Sequence, residues 1–180
     1  MKRFIVNLLL IITFFVLQGT LFNALSFGKI SPNICLMLIV SLGLMRGVKT
    51  GLISGFFTGL LFDIFAGSYL GFYALLYMYL GYMAGLFNKI FFPVDIKLPM
   101  AIIGISDLIY GFLSYVFLFL LKGNLNLSYC FVHICIPECI YTLVVTIVFY
   151  PLVLSIDKAF ERAERKQESK VAKQMERYFN

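Results

Sequence analysis

Three carboxylates interrupt otherwise apolar stretches of this 180-residue chain: Asp63 in GLLFDIF, Asp107 in GISDLIY and Glu138 in CIPECIY. A charge at the centre of a lipid-embedded helix costs at least about 2.5–3.5 kcal/mol, so each acid needs a partner or a proton. Asp107 lies about eight residues into its apolar stretch and Glu138 about nine into the next, counted from opposite ends. The two are therefore expected near mid-membrane, able to share a polar pocket with the hydroxyls of Tyr110 and Tyr141. That chemistry admits three uses: hydrogen-bonding glue between helices, contact with a ligand or partner, or a proton relay.

Around Asp63 the spacing is more specific. Gly43, Gly47, Gly51, Gly55 and Gly59 recur every four residues, followed by Asp63, Gly67 and Gly71. On a helix Gly51, Gly55, Gly59 and Asp63 form one slowly winding stripe, since four residues slightly overshoot a 3.6-residue turn. A groove of small residues lets another backbone approach closely in lipid. Whether that neighbour belongs to this chain or to a partner does not follow from spacing, but the acid at the end of the stripe offers a hydrogen bond to lock the contact. Tyr69, Tyr73 and Tyr77 repeat every four residues on the next stretch, with Gly81 and Gly85 beyond them. Tyr69 suits an interface anchor, and the deeper two suit core packing better than a ligand cage.

Other chemistry finds no residues to carry it. Cys35, Cys130, Cys135 and Cys139 sit in apolar segments without paired spacing, and His133 is the single histidine, so neither a zinc site nor a disulfide framework is expected. The sequence holds no GxSxG, HExxH or GxxxxGK[ST] motif, which removes the residues for serine, metal-dependent or nucleotide hydrolysis. We expect no enzyme, no cofactor and no metal.

The elements that position these groups must be membrane helices. Hydrophobic residues make up 61% of the chain and charged ones 13%, against about 45–50% and 25% in soluble domains. The mean hydropathy is +0.94, and a small soluble globule cannot hide so much Leu, Ile and Phe. The bilayer is the expected solvent. Apolar stretches predict about six spans: Phe4 to Leu25, Asn33 to Met45, Gly51 to Ala66, Tyr69 to Phe87, Pro99 to Leu121 and Tyr129 to Ser155. The second and third are short, which leaves open a tilted or partly re-entrant pair. Asn88 to Leu98 reads as a loop, and Pro137 and Pro151 as kinks in the last span. Residues 1–155 thus form a membrane domain, and 156–180 a charged helical tail. With the N-terminus inside, thirteen Lys and Arg fall on the inner side and two, Lys29 and Lys122, on the outer; this asymmetry predicts both termini in the cytoplasm. The net charge of +6 is accounted for by this placement and not by a nucleic-acid patch, the basic tail residues being mixed with five acids.

The segment GFFTGLLFDIFAGSYLGFYALLYMYLGYMAG, from Gly55 to Gly85, resembles the signature region of the rod shape-determining MreD family. Gly59-Leu60-Leu61 leading to Asp63, the Gly67 and Gly71 pair, and Gly81-Tyr82 with Gly85 carry the likeness. Pro32, Gly43, Pro137, Tyr141 and Pro151 match more loosely. The resemblance implies a non-enzymatic subunit of the bacterial cell-elongation complex in the cytoplasmic membrane. Its implied partners are MreC, MreB, a SEDS-type glycosyltransferase and a class B penicillin-binding protein. It also implies an all-α fold similar to the substrate-binding subunits of energy-coupling-factor vitamin transporters, which makes such a subunit the rival reading. Against the rival, Phe4 to Leu25 has only Gly19 and Ala24 as small residues, and the turn at Gly67-Ser68 is short.

Overall fold

The computed structural model describes residues 2–22, 31–65, 71–90, 96–122 and 135–179. Their regular structure is all helical. Six α-helices follow in order: α1 (Lys2–Leu17), α2 (Ile34–Arg46), α3 (Val48–Phe65), α4 (Phe72–Leu86), α5 (Lys97–Lys122) and α6 (Ile136–Phe179). A π-helical turn, Gln18–Phe22, extends α1, and a 3-10 turn, Phe87–Ile90, extends α4. Among the described residues three stretches are long and apolar enough to cross a membrane: Val48–Phe65, Lys97–Phe117 and Ile136–Phe160. The apolar helices Ile5–Thr20 and Ile34–Arg46 are shorter.

The centre of the bundle is α2. Its sequence, ICLMLIVSLGLMR, offers no polar face, and a helix apolar all round has to be surrounded. Every residue from Ile34 to Leu44 is buried, against α1, α3, α4, α5 and α6. Thirteen residues give a length of about 20 Å, well short of a hydrocarbon core of about 30 Å. This helix therefore starts inside the bundle, and its first backbone N–H groups need partners from the protein.

A single residue, Gly47, joins α2 to α3. It holds φ at +87°, a left-handed conformation that side chains disfavour, and its N–H bonds to the Gly43 carbonyl at 2.8 Å. Beside this joint, Arg46 pairs with Asp157 of α6 at 2.5 Å and also reaches the side-chain oxygen of Asn7 on α1. Asn88 donates to the Leu44 carbonyl at 2.5 Å, satisfying one of the orphan acceptors at the end of α2. The start of α1, the ends of α2 and α4 and the outward stretch of α6 thus meet at one charged end of the bundle.

Several expected boundaries shift. The third span starts at Val48 and the fifth at Lys97, so Lys97 and Leu98 belong to α5 and not to a loop. Pro137 is the second residue of α6, two residues after the helical Cys135. Pro151 lies inside α6, which continues as helix through Phe179. Glu138 is the third residue of α6. The first span's end at Leu25 and the sixth span's start at Tyr129 fall outside the described residues.

Candidate functional site

The glycines of α3 lie against the backbone of α4. A side-chain carbon built on Gly55 would sit 2.7 Å from the carbonyl carbon of Tyr77, and one on Gly59 would sit 2.6 Å from the Ala74 nitrogen. On Gly51 it would meet the Gly81 carbonyl carbon at 2.9 Å. Gly43 of α2 adds to the same crossing, its position 2.9 Å from the Gly81 oxygen, and Gly85 closes on Val48 at 2.5 Å. Real side-chain carbons do not approach so closely, so only glycine permits these three helices to meet. The neighbour in the groove is this chain's own α4.

Asp63 ends the stripe and starts the next helix. Its carboxylate accepts hydrogen bonds from the N–H groups of Gly71, Tyr73 and Ala74, each at 3.0 Å. These are the cap residue and the second and third residues of α4, the donors that every helix leaves unmade. Gly71 stands at the cap with φ +98° and no side chain of its own to offer, so an acid eight residues upstream performs the capping. The negative charge faces the positive end of the α4 dipole, and Asp63 is 3% exposed. Gly71 is accordingly not part of the groove: α3 ends at Phe65, and a side-chain carbon there would meet nothing within 4 Å. Gly67 and Tyr69 lie outside the described residues.

A second polar cluster surrounds the start of α2. Asn33 accepts from its own Leu36 N–H and from the Tyr77 hydroxyl, both at 3.1 Å. Its backbone N–H donates to Thr142 Oγ1 of α6 at 3.0 Å. Gln18, beyond α1, accepts from the Cys35 N–H at 2.9 Å. One helix start is thereby stitched to α1, α4 and α6. Tyr77 also packs against Tyr110 on α5, their ring centres 5.1 Å apart. Asp107 approaches Thr142, and Glu138 lies within electrostatic reach of Asp107 and Tyr110. The structure therefore brings Asp107, Glu138 and Tyr110 into one neighbourhood, while Tyr141 packs half-buried against the apolar core.

Asn33, Gln18 and Thr142 are the residues that sequence reasoning missed. Asn33 and Gln18 register in hydropathy only as interruptions, although Pro32-Asn33 ahead of an apolar run is a cap signal. Thr142 carries no signal at all. The α5–α6 seam was equally silent: Gly111 admits Cys135, whose Sγ would be 3.0 Å from a side-chain carbon there, and Gly104 admits Leu143.

The family model described as rod shape-determining protein MreD matches residues 2–158. The chain belongs to the MreD family. No curated protein and no solved structure matches it. Membership makes it a cell-shape-related membrane protein, in keeping with its apolar helices. In this MreD-family chain the match runs from the start of α1 to one residue beyond Asp157, and so takes in both the glycine crossing and the Arg46–Asp157 pair.

Proposed function

We propose that this protein is a non-enzymatic scaffold of the bacterial cell-elongation complex. It holds MreC in the cytoplasmic membrane and links MreB inside the cell to a SEDS-type glycosyltransferase and a class B penicillin-binding protein. In this reading residues 1–155 form a membrane domain of six spans, arranged like the substrate-binding subunits of energy-coupling-factor transporters, and residues 156–180 form a cytoplasmic tail. The thirteen-to-two distribution of Lys and Arg supports cytoplasmic termini.

The observation that carries the reading is the engagement of Asp63. All three of its hydrogen bonds go to backbone N–H groups of α4, so the acid builds a fixed α3–α4 hairpin and is not free to carry an ion or substrate. The glycine crossing makes that hairpin one body with α2. Contact with partners then depends on Gly51, Gly55, Gly59 and Asp63 through the fold.

The test is depletion in a rod-shaped bacterium, complemented by variants, with co-purification of MreC from detergent and uptake of candidate vitamins. Asp63→Asn is expected to retain more rod shape and MreC than Asp63→Leu. Normal shape on depletion together with lost vitamin uptake would replace the scaffold by the transporter subunit.

A further inference from the structure

At the charged end of the bundle two cavities run into one another. The first, about 240 Å³, is lined by Asn7, Arg46, Thr50, Asn88 and Asp157 among others, and lies where the apolar stretches of α3 and α6 begin and end. The second, about 150 Å³, is a largely apolar groove between α1 and α3, lined by Leu8, Ile11, Ile53, Ser54 and Phe57. Asn7 and Thr50 belong to both. Ile11 and Ser54 are buried and form the floor of the groove, while Ile53 is 41% exposed, so the groove opens sideways to lipid. From Thr50 to Phe57 it follows α3 for about 10 Å.

The first cavity holds hydrogen-bond donors in excess. The Arg46 side chain is only 10% exposed, and its guanidinium carries several N–H donors in a fixed fork. Among the described residues one donor is engaged by Asp157 and one by Asn7, and the rest are left over. With its oxygen turned to Arg46, the Asn7 carboxamide presents its NH₂, and Thr50 adds a hydroxyl. Charge points the same way. Lys49, Lys89 and Lys158 are exposed, and each is the chain neighbour of a lining residue, Thr50, Asn88 or Asp157. With Arg46 they outweigh the Asp157 carboxylate. A phosphate group, anionic and made of acceptor oxygens, complements such a donor set, and basic pockets between membrane helices at this depth take lipid head groups. The adjoining groove gives a lipid what a free anion lacks, a place for an acyl chain.

We propose that the joined cavities bind one anionic phospholipid from the leaflet on the charged side. Its phosphate sits against Arg46, Asn7 and Thr50, and the start of one acyl chain lies in the groove between α1 and α3. The lipid then bridges α1, α3 and, through the Arg46–Asp157 pair, α6.

The experiment is thermal unfolding of the full-length protein, delipidated in a non-ionic detergent and titrated with phosphatidylglycerol, with phosphatidylcholine of the same chains, or with free glycerol phosphate. We expect phosphatidylglycerol to raise the melting temperature saturably by roughly 3–5 °C, well below the concentrations at which phosphatidylcholine acts. Native mass spectrometry should show one phosphatidylglycerol retained per protein. Lys49→Gln should weaken half-saturation about fivefold, and Ile53→Trp, which fills the mouth of the groove, should abolish the lipid effect, each judged against the lipid-free melt of the same variant. Equal effects of the two lipids overturn the proposal, because the charge then selects nothing. Full stabilisation by glycerol phosphate also overturns it, leaving an anion site without a chain. So does a phosphatidylglycerol effect unchanged in both variants, which places the lipid elsewhere. Should Ile53→Trp fail to fold, Lys49→Gln and the comparison of the three ligands decide.

Discussion

Gly51 of α3 and Gly81 of α4 face each other so closely that the carbonyl of each occupies the place where the other's side chain would begin. The contact is reciprocal, so neither residue can gain an atom by a small shift of the other. We predict that Gly51→Ala and Gly81→Ala each destabilise the protein by at least about 1–3 kcal/mol, the scale of overpacking. Gly55→Leu should be worse, its clash falling on the Tyr77 backbone. Gly19→Ala is the control, since a side-chain carbon there meets nothing within 4 Å. Thermal melts in detergent check the ranking, and a Gly81→Ala melt equal to that of Gly19→Ala would remove the crossing as a determinant of stability.

Asp63 should behave as a cap. Removing its carboxylate leaves three backbone donors of α4 unmade, each worth about 1–3 kcal/mol when buried. Asparagine retains one acceptor oxygen and presents an NH₂ to donors, so it should fall between. The expected order of stability is wild type, then Asp63→Asn, then Asp63→Leu. Hydrogen exchange at Gly71, Tyr73 and Ala74 supplies the local readout, with protection lost there first. Unchanged protection in Asp63→Leu would contradict the cap.

Much of this hairpin was legible in the sequence, because four-residue glycine spacing and a carboxylate in an apolar run are local signals with one physical use each. The central position of α2 was legible in principle from its uniform apolarity. What stayed hidden depends on tertiary register. Gly71 continues the four-residue series arithmetically and belongs to a turn structurally. Thr142 became a cap partner only through the packing of α6 on α2.

At the start of α2, Asn33 serves more groups than any one substitution by Phe or Ala suggests. Tyr77→Phe removes the hydroxyl bonded to Asn33, and should cost about 1 kcal/mol, the net value of an ordinary hydrogen bond. Asn33→Ala orphans the Leu36 N–H and the Tyr77 hydroxyl together, and should cost roughly 2–4 kcal/mol. In the double variant the loss should be smaller than the sum, since both changes remove the same bond. Additive losses in the thermal melts would show that the two side chains act independently.

At the charged end, Arg46 and Asp157 form a half-buried pair that ties α6 to the core. Arg46→Asp or Asp157→Arg alone places like charges together and should lower stability by about 1–3 kcal/mol. The double reversal restores attraction and should recover at least half of that loss. A double variant no more stable than the weaker single one would mean that the pair contributes through Asn7 or packing, and not through charge.

Topology gives the last prediction. Asn7 and Asp157 both contact Arg46, so the start of α1 and the outward stretch of α6 share one side of the bundle however the molecule is oriented. Orientation itself follows from the basic residues gathered at that end, through the preference for Lys and Arg on the cytoplasmic face. Reporter fusions at Asn180 should therefore read cytoplasm, and fusions at Gly123, just past the end of α5, should read the opposite side. Truncation before Glu168 removes only residues beyond the Arg46 contact, and should leave insertion and the Asn180-side assignment, read at Gln167, unchanged. Reporters at Gly123 and Asn180 on the same side would exclude a membrane crossing by α6 and, with it, the six-span arrangement.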